Sequence, residues 1–289
     1  MTAAGAPVRA LTRGEVERAV DWAAREAWNP GLADADAFLA QDPTGFLGLF
    51  EPDGRLAATL SAVTYEGGFA FLGFYICRPD LRGRGFGLAL WRQAMARLDG
   101  RVVGLDGVVA QQANYARSGF GLAHRNVRFG GAARLGAAEL GAALPGAAIR
   151  PIGPELYPAV ATYDLGCFGY SRPAFLGAWL RPPFGRSLAL VEDGAVRGYG
   201  VVRRCREGAK IGPLFCDHAP GARALLGALA QAAGAGPIFL DVPEPNRAGA
   251  ALAAEIGLAP VFETARMYRG PAPDLPLARI FGITTFELG

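Results

Sequence analysis

The sequence predicts an α/β protein built as two tandem domains, each a mixed, mostly antiparallel central sheet flanked by helices. Three observations predict it. The 289-residue length suggests about two domains. In the first half, strand-like apolar runs interleave with segments of helical period in the order β, α, α, β, β, β, α, β, α, β. In the second half a similar order returns with strongly diverged residues, which reads as an internal repeat.

Residues 8–13 (VRALTR) read as a short strand. In GEVERAVDWAAREAW, which follows, Val16, Ala19, Val20 and Ala23 recur at helical spacing, and Asn29-Pro30-Gly31 supplies the break. A short helix around ADADAFLA precedes three strand-like runs, GFLGLFE, RLAATLSAVTYE and FAFLGFYIC. A Pro-Asp-Gly turn and Gly67-Gly68 separate them, so they form an antiparallel meander. LRGRGFG leads into the amphipathic helix LALWRQAMARL. RVVGLDGVV is the fifth strand, QQANYARSG a helix, and strands running through HRNVRFG close the set.

The stretch 130–148 is rich in Gly and Ala and poor in large apolar residues, as a linker or weak helix would be. The expected division is therefore 1–132, a linker at 133–148, and 149–289. The second half reads as a helical stretch AFLGAWL, strands SLALVED, AVRGYGVVRRC and AKIGPLFCD, helix ARALLGALAQAA, strand PIFLDV and helix NRAGAALAAEIG.

Composition excludes several functions. With 51% hydrophobic and 19% charged residues the chain has ample core material and no mark of disorder. The net charge of +3 comes from basic residues scattered singly, so a nucleic-acid partner is not expected. Cys77, Cys167, Cys205 and Cys216 form no CxxC pair, and His124 and His218 are far apart, so no metal site is expected. No apolar run reaches the length of a signal core or a membrane span, which makes a reducing cytoplasm the expected compartment.

The strongest signal is Tyr75-Ile-Cys-Arg-Pro-Asp-Leu-Arg82-Gly-Arg-Gly85-Phe-Gly87-Leu88, where Arg82, Gly85 and Gly87 fit R/Q-x-x-G-x-G/A between a strand and a helix. Amides freed of side-chain bulk converge there, and the following helix adds the positive end of its dipole, so the place suits an anion. A tight strand-to-helix turn is the plainer reading of the same glycines. A Walker loop would need GK[ST], and a dinucleotide fold would place its glycines after the first strand of a parallel unit; neither pattern fits.

This loop, preceded by Cys77-Arg78-Pro79 and following the fourth strand, resembles that of the GNAT superfamily of acyl-CoA N-acyltransferases, bacterial tandem type. The resemblance implies that the pantothenate arm of acetyl-CoA lies along the strand backbone at Tyr75, Ile76 and Cys77. It implies that the pyrophosphate meets Arg82, Gly83, Arg84, Gly85, Phe86, Gly87 and Leu88. Tyr115-Ala-Arg-Ser-Gly119-Phe120 resembles the family's Y-x-x-x-G-F, in which the tyrosine protonates the leaving thiolate; a core tyrosine is the alternative. The asparagine often found seven residues earlier is Val108 here, with Asn114 as the possible replacement. The strand position of a family glutamate is Val103, and Asp106 and Glu66 read as solvated turn residues, so no general base is assigned. Trp28 and Asn29 stand where such proteins line the acceptor pocket; a Trp anchoring the helix stop is the alternative.

The second half resembles the C-terminal GNAT-like domain of the same proteins but departs at its site. Its loop reads His218-Ala-Pro-Gly221-Ala-Arg223, in which Pro220 lacks an amide donor. Asn246 keeps the family spacing to Gly257, but the tyrosine position is Ala253. Phe168, Tyr170, Arg172 and Glu287 are candidates for acceptor contact, Arg172 and Glu287 reading more simply as surface charges. The implied function is acetyl transfer from acetyl-CoA to a primary amine without metal; the alternative is a non-catalytic acyl-CoA-binding sensor.

Overall fold

The computed structural model describes residues 6–134 and 146–289. Most of the Gly/Ala-rich stretch read as a linker lies outside them, and its last residues open a strand at Ala147. The first half contains β1 (Val8–Ala10), α1 (Arg13–Arg25), α2 (Asp34–Gln41), β2 (Phe46–Phe50), β3 (Leu56–Tyr65), β4 (Phe69–Cys77), α3 (Phe86–Arg97), β5 (Val102–Val108), α4 (Gln112–Arg117) and β6 (Gly121–Gly131). The second contains β7 (Ala147–Pro151), α5 (Tyr157–Phe168), α6 (Pro173–Trp179), β8 (Gly185–Glu192), β9 (Ala195–Arg204), β10 (Ala209–Cys216), α7 (Ala219–Ala233), β11 (Ile238–Pro243), α8 (Arg247–Glu255), β12 (Ala259–Arg269) and β13 (Ile280–Gly282).

Local signals explain many boundaries. Glu15 reaches back to the Thr12 amide at 2.8 Å and so starts α1 with a capping box. The helix ends before Ala27 and Asn29, both left-handed, rather than at the Pro-Gly pair. The β2–β3–β4 meander pairs antiparallel as its alternation and turns require.

The sheet does not part between the halves. Its order is β1-β2-β3-β4-β5-β12-β6-β11-β10-β9-β8-β7. Strand β12 of the second half lies antiparallel to β5 of the first, with Thr264 opposite Val108 and Arg269 opposite Val103. Strand β6 of the first half lies against β11 of the second, with Val127 opposite Val242. The halves have exchanged their last long strands, and β6 and β12 pair at the centre. The sequence reading, in which the first half closes its own sheet, is corrected here: β5 finds its next neighbour about 150 residues downstream, which no local pattern encodes.

The helices divide between the two faces. On one face α1, α2, α5 and α6 share a core that mixes residues of both halves, such as Phe38, Phe74, Phe175 and Trp179; the Phe38 and Trp179 rings stack at 6.0 Å. On the other, α3 covers β2–β5 through Leu90, Trp91 and Ala94, while α7 and α8 cover the second half through Leu225, Leu229 and Leu252.

Candidate functional site

Strand β4 is the key to the site. It runs parallel to β5 only from Phe69 to Leu72, opposite Val102 to Leu105, and beyond that the two strands part. At the parting β4 carries a bulge: Thr59 faces Ile76 and Ser61 faces Gly73, leaving Leu60 opposite Phe74 and Tyr75. Phe74 has φ +46°, an uncommon value for a bulky residue, and the buried Thr59 hydroxyl holds the strained turn by donating to the Phe74 carbonyl at 2.8 Å. Past the bulge, Arg78 N–H bonds Ala57 on β3, which turns the amide and carbonyl of Cys77 toward the parted side. Arg82 Nε donates to that carbonyl at 3.0 Å, and its guanidinium also pairs with Glu26 at the end of α1.

The glycine loop closes one end of the gap. Gly83 and Gly85 have φ +72° and +85°, values that side chains disfavour. Helix α3 begins at Phe86 with no side-chain cap; the Gly87 amide faces the Cys77 thiol, and the helix's first turn otherwise presents its amides to an anion. Gly87 is fixed for a different reason, since a Cβ there would stand 2.9 Å from the Tyr75 hydroxyl. The Tyr75 ring packs on Trp91 at 5.4 Å, and Trp91 meets Tyr115 at 5.7 Å.

A cavity of about 570 Å³ occupies the gap. Of the residues singled out in the sequence, Trp28, Tyr75, Ile76, Cys77, Arg82, Gly83, Gly85, Phe86, Gly87, Leu88, Asp106, Val108, Tyr115 and Glu287 line it. Arg84 and Asn114 do not. Asn114 lies exposed, bonded to Gln111 and Arg117, and it is Gln111 that reaches the wall. Asn29 is also elsewhere, its side chain exchanging hydrogen bonds with the backbone of Glu207 at 2.9 and 3.0 Å. Tyr115 makes no side-chain hydrogen bond among the described residues, and burial pushes its hydroxyl up to about 12. It therefore holds its proton at neutral pH.

Four expectations need correction. Asp106 is not a solvated turn residue: it lies on β5 with a fully buried carboxylate, bound by Arg266 at 2.6 and 2.8 Å and by Asn126 at 2.8 Å. Arg172 is not a surface charge; it is fully buried, held by Asp164 at 2.6 and 2.8 Å and 3.7 Å over the Phe168 ring. Tyr170 stacks on Phe69 at 4.1 Å, so it, Phe168 and Arg172 belong to the shared core and away from the cavity. Glu287 is no surface charge either: 2% exposed, it lines the cavity with Phe286.

Other wall residues carried no sequence signal. Phe262 and Thr264 belong to β12 and arrive only through the strand exchange. Gly73 on the wall, and Thr59 behind it on the bulge, look like ordinary strand residues.

The corresponding place in the second half is filled by the chain itself. Strands β10 and β11 pair in parallel from Ala209 to Ile211, and β10 is bulged after Ile211 as β4 is after Gly73. Into the parting goes β13, with Ile280 opposite Phe215 and Gly282 opposite Leu214, while Ile283 N–H bonds the Asp241 carbonyl on β11 at 2.9 Å. Asn246 secures the insertion by donating to the Ile280 carbonyl at 2.9 Å while its oxygen caps α8 at Gly249. At the second loop His218 Nδ1 accepts from the Gly221 amide at 3.0 Å, consuming a donor that the first loop leaves open. A Cβ at Gly221 would meet Leu190, Cys216 and His218 within 3 Å, so packing fills the space as well.

Comparison with known proteins agrees with this architecture. The Acetyltransferase (GNAT) family model matches residues 14–120 and an Acetyltransferase (GNAT) domain model matches 160–282. The chain is 30% identical over 270 residues to the holothin acyltransferase of Pseudoalteromonas sp., covering 93% of this chain and 90% of that one. A solved protein of Pyrococcus horikoshii superposes with a TM-score of 0.81 at 22% identity, covering 99% of this chain and 96% of the other. A tandem GNAT protein from the clavulanic acid biosynthesis pathway gives 0.63 at 17% identity, covering 92% and 99%. With two GNAT matches, a relative covered nearly end to end and the parted-strand site in place, the chain belongs to the GNAT family of acyl-CoA-dependent acyltransferases.

Proposed function

We propose that the protein transfers an acetyl group from acetyl-CoA to a primary amine, at a single site built on a catalytic unit spanning residues 1–132 and completed by β12 and the C-terminal segment of 149–289, a degenerate GNAT-like unit. The observation that carries this reading is the asymmetry of the two partings. The first is open, edged by uncapped helix amides and a protonated Tyr115; the second is occupied by β13. The relative named for acylating holothin supports acyl transfer as the activity.

The residues present fit acetyl-CoA as donor. The exposed edge of β4 at Tyr75 and Cys77 offers backbone groups to an extended amide-bearing arm, as an added strand would use them. The first turn of α3 with Gly83 and Gly85 would hold the pyrophosphate. The donor supplies an activated thioester carbonyl; the protein's own work is to orient the amine against it and to hold the Tyr115 proton ready for the departing sulfur. Acceptor-side residues in this reading are Trp28, Phe262 and Phe286. The test is release of free thiol from acetyl-CoA in the presence of an amine panel, with mass detection of products. Turnover supports the enzyme, whereas binding without turnover would favour a non-catalytic sensor.

A further inference from the structure

The segment after β13 leaves the second parting and crosses to the first. The Tyr65 hydroxyl donates to the Leu288 carbonyl at 2.8 Å, and Glu287 packs directly on the β4 bulge. A Cβ at Gly73 would stand 2.2 Å from the Glu287 carbonyl oxygen, so Gly73 is small because this segment lies on it. Ser61, beneath Gly73, is fully buried and leaves no room to shift.

The Glu287 carboxyl makes no hydrogen bond and no ion pair among the described residues, and its Oε1 is fully buried without a partner. The charges around it come from four elements: Lys210 on β10, Arg128 on β6, Arg203 on β9 and Asp34 on α2. Arg128 is spent on Asp241 at 2.6 and 2.9 Å, while Arg203 bonds Asp34 at 2.8 Å through Nε alone and keeps both Nη atoms buried without a hydrogen bond. Lys210, the only lysine in the chain, has one long contact, 3.4 Å to the Trp28 carbonyl. Glu287 is thus a buried carboxyl that nothing in the fold neutralises by direct contact, on the wall of the cavity that holds Tyr115. Unpaired buried charges are costly to keep and are retained where chemistry uses them.

We propose that Glu287 is the general base of the reaction and that the acceptor is a primary amine on an aromatic or other flat apolar body. This rests on the acetyl-transfer reading above. The side chains beside Glu287 that would receive such a body are Trp28, Phe262 and Phe286, with the last two rings 6.0 Å apart. In the step, the acceptor ammonium gives a proton to the Glu287 carboxylate, and its nitrogen lone pair forms the C–N bond at the thioester carbonyl. The C–S bond breaks, the leaving thiolate takes the Tyr115 proton, and the cationic amide nitrogen releases its second proton to solvent. Solvent then restores the tyrosine proton and removes the one on Glu287, so the net products are amide, free thiol and a proton. Burial raises the Glu287 carboxyl above the ordinary glutamate range, while the Lys210, Arg128 and Arg203 charges keep it ionisable. A base so placed is matched to its task better than an exposed glutamate.

The experiment compares Glu287→Gln with wild type using acetyl-CoA and two probes: phenethylamine, an ammonium at neutral pH, and aniline, already neutral there. Acetyl-CoA affinity is measured by calorimetry alongside, and folding by thermal melting. With phenethylamine, kcat/KM should fall roughly 10²-fold or more and the acid limb of the pH profile should move from the Glu287 carboxyl to the titration of the amine itself. With aniline the change should stay within about 3-fold, because no proton needs to leave before attack. Equal losses with both amines, or no loss with either, would overturn the base assignment. Wild-type protein that binds acetyl-CoA but acetylates neither probe would overturn the acceptor class, and wild type that binds no acetyl-CoA would remove the reading underneath.

Discussion

Replacing Arg266 with alanine should cost the folded protein about 3–5 kcal/mol, because it strands a buried carboxylate. Arg266, on β12, binds Asp106, on β5, through both ends of its fork at 2.6 and 2.8 Å, and the side chains are 6% and 0% exposed. The guanidinium also lies 5.0 Å over the Phe71 ring, so its loss opens a space in the shared core as well. Among the described residues, Asn126 at 2.8 Å would remain the only group bonded to Asp106. Burial already raises the Asp106 carboxyl with Arg266 present; without Arg266 the same burial pushes it further toward its protonated form, which limits the cost. At roughly 2–4 °C per kcal/mol for a chain of this size, the melting temperature should drop by roughly 6–20 °C. Adding Asp106→Asn should return part of the loss, on the order of 1–2 kcal/mol. Thermal melting by circular dichroism at pH 7 reads the shift. A melting temperature within about 2 °C of wild type would refute a dry, structural ion pair, and a melt in separate steps would refute the coupling of the halves through the exchanged strands.

Tyr115→Phe should lower kcat roughly 10²-fold and leave acetyl-CoA affinity within about 2-fold, since the hydroxyl's work is confined to the departure of sulfur. Single-turnover rates beside calorimetry check it, and an unchanged chemical rate would return Tyr115 to a packing role. Because burial places that hydroxyl at about 12, wild-type kcat should hold through pH 10 with no alkaline fall from this group. His124 sets an acid limit on stability: burial, with Arg266 nearby, holds its imidazole down at about 4 against an ordinary 6.5. Between those values the unfolded chain carries a proton that the folded chain lacks, so stability falls as pH drops, by up to about 3 kcal/mol. His124→Asn should flatten urea midpoints between pH 4 and 6.5, and an unaltered slope would contradict the buried neutral imidazole. Thr59→Val should cost about 1–2 kcal/mol and reduce turnover, because the Phe74 carbonyl loses the hydroxyl that fixes the bulge; urea unfolding and steady-state rates report both.

What could be read from the chain was what the chain encodes locally. Alternation in RLAATLSAVTYE, helical spacing in GEVERAV, and glycines at Gly83 and Gly85 each specify backbone within a few residues, and the elements and the anion loop follow from them. The rest depends on partners far away in sequence. Nothing near Phe262 or Thr264 says that β12 will cross to β5, and nothing near Ile280 says that it will fill the parting beside β10. Arg172 and Asp106 look like surface charges until Asp164 and Arg266 are found beside them in the core. Glu287 gave a weak sign: a lone acid inside the apolar terminal run IFGITTFELG, where a charge without a purpose would be unfavourable. Gly221→Asp, which from sequence looks a harmless control in the second loop, is unsuitable, because a Cβ at that position would meet Leu190 at 2.5 Å.

On the proposed reading, one parting binds acyl-CoA and the other is closed by the chain itself. Calorimetric titration with acetyl-CoA tests it most directly, on wild type and on Gly85→Asp. An aspartate at position 85 would set its carboxylate at the start of α3 in the place of the pyrophosphate, while the left-handed backbone there (φ +85°) costs the fold about 1–2 kcal/mol. Wild type should bind one molecule per chain, and Gly85→Asp, shown by its thermal melt to be folded, should bind none. Two molecules per wild-type chain, or one still bound by a well-folded Gly85→Asp, would contradict the account.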